Sequence, residues 1–137
     1  MRGFALHLHG ATAWETVEQV HSFVGRDASG SFGIQPGHEA FITALEFGLA
    51  RYRCVDGVWQ YLALPGGILH VIGGEVFVFT RRYLRDTDYR RISTQLEDQL
   101  RAEDVALSRT RASLQQMEQH LLRRLWELEQ RGHGNEQ

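Results

Sequence analysis

The chain contains no lysine: all fifteen of its basic residues are arginine. This excludes chemistry that needs a lysine amine, including the Walker A phosphate loop and Schiff-base catalysis. A single cysteine, Cys54, excludes an internal disulfide and a cysteine-rich zinc site. No apolar run approaches the ~20 residues of a membrane-spanning helix. The first residues, Met1 to His9, place two histidines where a signal peptide needs an apolar core, and no small-residue cleavage site follows. The expectation is a chain made and kept in the cytosol with its thiol reduced, and held at a membrane only through a partner. A net charge of −2 leaves no electrostatic footprint for nucleic acid. Gly-x-Ser-x-Gly, His-Glu-x-x-His and Gly-x-Gly-x-x-Gly are all absent.

What is present is unevenly distributed. Twelve of the 14 glycines lie between Gly3 and Gly74, and both prolines, Pro36 and Pro65, fall in the same half. From Glu75 to Arg131 there is neither glycine nor proline. The 137 residues are one domain's length, but this division predicts two modules, with boundaries at 1–85 and 86–137.

The front half reads as short strands. Phe4, Leu6 and Leu8 alternate with Ala5, His7 and His9, the period of a half-buried strand. Val17, Val20 and Phe23-Val24 mark a second strand region, and Asp27-Ala28-Ser29-Gly30-Ser31 has turn chemistry. Asp56-Gly57 separates Leu49–Val55 from Val58–Leu64 and predicts a hairpin. Gly73-Gly74, between Ile68–Ile72 and Val76–Phe79, predicts another. Many short strands at regular spacing imply a sandwich or barrel.

The back half changes period. Asp86 or Thr87 can cap a helix, with Asp88 in its first turn. Tyr89, Ile92, Leu96 and Leu100 recur at helical spacing, then Leu107, Leu114, Leu121 and Leu128 at intervals of seven. Gly132 suits the C′ position, and the tail from Gly132 to Gln137 should fray. One helix from Thr87 to Arg131 would be roughly 67 Å long. The only segment that suggests a hairpin turn is Ala102-Glu103-Asp104. The row beside the leucines carries Glu103, Asp104, Thr110 and Arg111, with apolar residues only at Met117 and Leu125. A zipper needs both rows apolar, so the pattern favours docking on another protein, or a helical hairpin, over a symmetric dimer.

His7, His9, His38 and His70 suggest a second reading, a cupin-like β-barrel enzyme with a histidine-bound metal. No His-x-His-x₃₋₄-Glu run accompanies them. A third reading is a free coiled-coil adaptor.

Two blocks favour the first architecture. One is Gly30-Ser31-Phe32-Gly33-Ile34-Gln35-Pro36-Gly37-His38-Glu39, continued by Ala40–Leu45. The other is Tyr61-Leu62-Ala63-Leu64-Pro65-Gly66-Gly67-Ile68-Leu69-His70-Val71, followed by Val76–Phe79. In sequence, order and separation they resemble the epsilon subunit of bacterial F-type ATP synthases. Ser29–Gly33 and Phe41 are similar to its divergent, sodium-linked branch. The resemblance implies an α+β fold: an N-terminal antiparallel β-sandwich, then a C-terminal helical hairpin or one long helix.

It also implies a non-catalytic rotor subunit with no cofactor or metal, peripheral on the cytoplasmic face of the membrane. The gamma subunit, the c-subunit ring and, through the helices, the alpha/beta head would be its partners. Ser31, Pro36, Gly37, His38 and Glu39 would meet the c ring or gamma, and Gly33, Gly66 and Gly67 would serve structural turns. Arg109, Arg111, Arg123 and Arg124 would contact the head during inhibition of hydrolysis. Asp98-Gln99-Leu100-Arg101-Ala102 matches the second half of a nucleotide-binding motif, with Asp98 and Arg101 as its binding residues. Ser31 and Ala40 depart from the acidic residue and the proline common in the family.

Overall fold

A computed structural model describes residues 3–134, and side chains as far as residue 132. Nine strands run in order: β1 Phe4–His9, β2 Trp14–Asp27, β3 Gly30–Ile34, β4 Phe41–Leu45, β5 Gly48–Cys54, β6 Trp59–Leu64, β7 Gly67–Ile72, β8 Glu75–Phe79 and β9 Leu84–Asp86. Their pairing order is β1-β8-β7-β4-β2-β5-β6-β9, with β3 and β1 also on β2. All pairs are antiparallel except β1 with β8, which is parallel because both strands enter from the same end. β2 serves both layers: its first half pairs with β1 and its second half with β3 and β5. It changes partners at a bulge, where Gln19 has φ of 57° and its carbonyl accepts from the Val55 amide.

Alternation places Phe4, Leu6, Leu8, Val20, Phe23, Leu69, Val71, Val76 and Val78 between the layers. Both predicted hairpins form. Gly73 and Gly74 have φ of 59° and 76°, the two positive values of a tight two-residue turn. The loop at Asp56-Gly57 is wider, because pairing stops at Arg53 and Trp59 and the Gly57 amide closes on the Cys54 carbonyl.

The helix starts one residue beyond the two predicted caps. Asp88 is the N-cap, accepting from the Arg91 amide at 3.1 Å, while Asp86 accepts from the Asp88 amide and Arg91 guanidinium. α1, Tyr89–Gln95, runs into a π turn, Leu96–Leu100, and then α2, Arg101–Gly134. No turn forms at Ala102-Glu103-Asp104, so of the two expected alternatives the helical part is one long run, not a hairpin. The cause is local: no breaker interrupts it, and Arg101 pairs with Glu97 one turn back across the join. Gly132 does not end it either; residues 132–134 are helical, and the rest of the expected frayed tail lies outside the described residues.

The π turn has a packing reason. Side chains four apart on an α-helix drift by about 40° per step. The widened turn resets that phase, and Ile92, Leu96 and Leu100 all remain buried, against Ala63, Phe47, Leu49, Tyr61 and Leu84. The chain divides into two compact units, 1–101 and 102–137, so this stem belongs with the sandwich. In the second unit, every described residue from Ser108 onward is exposed.

Candidate docking surfaces

The strand register assembles an apolar face that faces away from the core. Ile42 stands opposite His70, His70 opposite Phe77, Phe77 opposite His7, and His7 opposite Thr16. A second row runs Ala44, Ile68, Phe79, His9 and Trp14. Exposure is 73% for Trp14, 65% for Ile42, 43% for Phe79 and 42% for Ile68, far from the solvated polar face an antiparallel sheet normally presents. The rings are mutually ordered: His7 stacks on Phe77 at 4.5 Å, His9 lies 5.2 Å from Phe79, and His9 stacks on Trp14 at 5.8 Å. His7 is fixed further by Thr16 Oγ1 at 2.9 Å and Glu75 Oε1 at 3.0 Å. Sequence reading missed this face. The available signal was that Ile68, Ile72, Phe77 and Phe79 are apolar on the parity opposite to the core residues, which marks strands covered on both sides.

The same geometry removes the basis of the metal reading. Phe77 separates His70 from His7, and His38 is on another strand connection. Among the described residues no group of three or more His, Cys, Asp or Glu side chains is arranged to hold a metal ion.

The Pro36 block forms the expected turn. Gly37 has φ of 83° and the His38 amide donates to the Gln35 carbonyl at 3.2 Å, a type II turn for which proline then glycine are suited. His38 Nδ1–H donates to the Glu39 carbonyl at 2.7 Å, and the ring lies 5.7 Å from that of Phe41. Pro36 and Gly37 are exposed and line, with His38, an open groove of about 390 Å³, and Glu39 is exposed as well. Ser31 is exposed on β3 opposite Arg26. Gly33 is a correction: it lies inside β3 opposite Val24, with no positive φ and no turn. Gly66 and Gly67 do enter β7 through positive φ, and the Gly66 carbonyl accepts from Thr80 at 2.6 Å.

A polar network anchors the strand before the helix. Arg85 on β9 donates to Tyr52 on β5 at 3.1 Å and pairs with Glu15 on β2 at 3.1 Å, while Tyr83 donates to Glu15 at 2.9 Å. Burial, reinforced by the Glu15 carboxylate, pushes the Tyr83 hydroxyl up to about 12. Beyond the stem the predicted residues separate. Arg109, Arg111, Arg123 and Arg124 are all exposed on α2; at 100° per residue Arg109, Arg123 and Arg124 fall within an arc of about 100°, with Arg111 on the opposite side. Asp98 is exposed in the π turn. Arg101 is engaged elsewhere, with Glu97 at 2.7 Å and its guanidinium 4.5 Å above the Phe47 ring.

The described residues thus present an exposed apolar sheet face, a Pro-Gly turn and an exposed helix, surfaces of the kind on which proteins dock. The family model for the ATP synthase delta/epsilon chain beta-sandwich domain matches residues 9–86. ATP synthase epsilon chain 2 of Cereibacter sphaeroides is 35% identical over 109 residues, covering 79% of this chain and 75% of the relative. The epsilon chain of Geotalea uraniireducens is 33% identical over 104 residues, covering 76% of this chain but only 63% of the relative. A chain of the Euglena gracilis mitochondrial ATP synthase OSCP/F1/c-ring structure shares the fold, with a TM-score of 0.58 at 22% identity over 72% of this chain and 64% of that one. A chain of the Tetrahymena thermophila central stalk/c-ring structure does so with a TM-score of 0.53 at 14% identity over 61% of this chain and 66% of that one. The chain belongs to the ATP synthase delta/epsilon family, among the epsilon chains.

Proposed function

We propose that this epsilon chain is a non-catalytic part of the central stalk, coupling ion movement through the c ring to ATP synthesis and hydrolysis in the catalytic head. Family membership carries the assignment, and the exposed His7–Phe77–Phe79–His9–Trp14 face supports it physically. A rotor part must transmit torque through a rigid interface. An ordered aromatic sheet face costs little side-chain entropy on docking, since its rings are already held. The gamma subunit occupies this face. The turn at Pro36–Glu39, with Ser31, meets the c ring or gamma, where backbone rigidity sets the position of His38 and Glu39. This chain sits peripherally on the cytoplasmic face of the membrane as part of that complex. No described helix is long and apolar enough to cross a membrane.

The helical arm reaches the alpha/beta head and restrains hydrolysis, with Arg109, Arg111, Arg123 and Arg124 pairing there with acidic loops. Arg109, Arg123 and Arg124 share one face of α2, so a single head surface can meet those three, while Arg111 lies on the opposite side. The test is reconstitution of the head complex with the full chain and with a chain lacking residues 102–137, which keeps the stem packed on the sandwich. Faster ATP hydrolysis after truncation is expected; an unchanged rate rejects the inhibitory role. Nucleotide binding at Asp98 and Arg101 is tested by calorimetric titration with ATP against Asp98→Ala. Since Arg101 would have to leave Glu97 and Phe47, no heat at millimolar ATP rejects that site.

A further inference from the structure

The layer formed by β3, β5, β6 and the second half of β2 has an outer face of a different character from the apolar one. On β5, Ala50 and Tyr52 point into the core, so Arg51 and Arg53 point away from it. In register, Ser22, Arg53 and Trp59 form one row across β2, β5 and β6, and Val24, Arg51 and Tyr61 form the next. Arg26 stands opposite Ser31 at the edge. The Arg51 and Arg53 guanidiniums lie 4.6 Å and 5.2 Å from the centre of the same Trp59 ring. The indole offsets part of their mutual repulsion and holds both side chains before any partner arrives. Arg53 Nε is buried without a hydrogen-bond partner, and among the described residues none of these three arginines pairs with a carboxylate. Two open clefts lie on this face. One, of about 310 Å³, is lined by Arg26, Ser31, Arg51, Tyr61 and Tyr89; the other, of about 390 Å³, by Ser22, Gln35, Pro36 and His38. Val24 lines both, so they form one groove from the stem to the Pro36 turn. No acidic residue lines either cleft. Glu18, Glu39, Glu46 and Asp56 lie outside both, and Asp86, opposite Tyr61, is held by Arg91.

We infer that this groove receives an acidic loop of the stalk partner that meets the Pro36–Glu39 turn, with the loop's carboxylates paired to Arg26 and Arg51. The inference rests on the stalk reading above, because Ser31 and the turn residues assigned to that contact line the groove. Charge selects the occupant. A basic loop would meet three guanidiniums and no carboxylate, and an apolar one would strip water from them without compensation. A planar guanidinium accepts a carboxylate through two parallel hydrogen bonds, so the groove reads carboxylate geometry as well as sign. Tyr61 and Tyr89, edge to face at 5.4 Å, wall the cleft beside Arg51. Trp, Tyr and Arg are the residues that carry most of the binding energy where proteins meet. Arg53, stacked on Trp59 but lining neither cleft, is a positioning residue for Arg51.

The test is the affinity of the full chain for a purified subcomplex of gamma and the c ring, titrated over a salt series. Wild-type affinity should fall as salt rises. Arg26→Gln combined with Arg51→Gln should weaken binding about tenfold at low salt and remove most of the salt response. Tm should change little, because both side chains are exposed. Ser31→Asp should weaken binding by about threefold, since the new carboxylate pairs with Arg26 across the strands. Tighter binding by Ser31→Asp would mean a basic partner loop and would overturn the proposal. Equal affinity of the double variant and the wild type overturns it while leaving the stalk reading intact; no binding by the wild type at any salt overturns both. Flotation of the chain with phosphatidylglycerol vesicles, lost in the double variant, would assign the groove to a membrane surface instead. Dimerisation in sedimentation equilibrium, lost in the same variant, would assign it to a second copy. Either result overturns the proposal.

Discussion

Gly67 enters β7 beside the end of β8, and a Cβ built on it would lie 2.4 Å from the Phe79 carbonyl oxygen. Backbone has no means to yield there, so Gly67→Ala should lower stability by about 1–3 kcal/mol, measured by urea denaturation. The Gly-Gly pair was legible as turn chemistry. The contact with Phe79 was not, because it depends on a strand twelve residues away. The carboxylates give a second expectation. The Arg91 hydrogen bond holds Asp86 well below its ordinary 3.8, and the Ser29 and Thr43 hydroxyls hold Asp27 below it as well. Lowered folded-state values mean stability that is complete above the unfolded pKa and lost as pH falls through the folded one. Tm should therefore decline below about pH 4, and Asp86→Asn should shrink that decline. Tyr83 has the opposite sense. Its value of about 12 lies above the ordinary 10, so its contribution is intact below pH 10 and lost between 10 and 12. Tyr83→Phe should flatten that alkaline limb of the Tm profile.

At the scale of elements, hairpins and helix were readable because each rests on neighbours in sequence. Gly73-Gly74 met two flanking runs, and the absence of breakers after Glu75 left the helix nothing to stop it. The stem was not readable in the same way. Leu100 opens the leucine row, yet it is fully buried against the sandwich, while Leu114, Leu121 and Leu128 are exposed. Identical residues at identical spacing thus do two jobs, and a π turn marks where the first ends. Leu100→Ala should cost about 2–5 kcal/mol and loosen α1 and the π turn. Hydrogen exchange is the measurement: faster exchange is expected from Ile92 to Leu100, with the β6 amides little changed.

At the scale of the molecule, the apolar face belongs to no single element. Its two rows cross five strands, and residues as distant as Trp14 and Phe79 become neighbours through His9. If gamma occupies it, Trp14→Asp should weaken gamma association at least tenfold in a pull-down titration while leaving Tm nearly unchanged, since that side chain is 73% exposed. A fall in Tm without loss of association in Trp14→Asp would instead show that the face is structural.

Periodicity and composition by themselves determined the two-part organisation, the strand-rich front, the helical back half and the turn at Pro36-Gly37, while leaving one long helix and a hairpin both open. Each follows from torsional preference or from which residues repeat on one face, and these act over a few residues. Tertiary structure alone decided that Asp88 rather than Asp86 caps the helix, because Asp86 is taken by Arg91. It also decided that Gly33 stays within a strand, that Leu100 is core, and that three histidines and three aromatic rings line one outer surface. These outcomes depend on strand register and on which side chains compete for one partner, and both are settled only when distant segments pack.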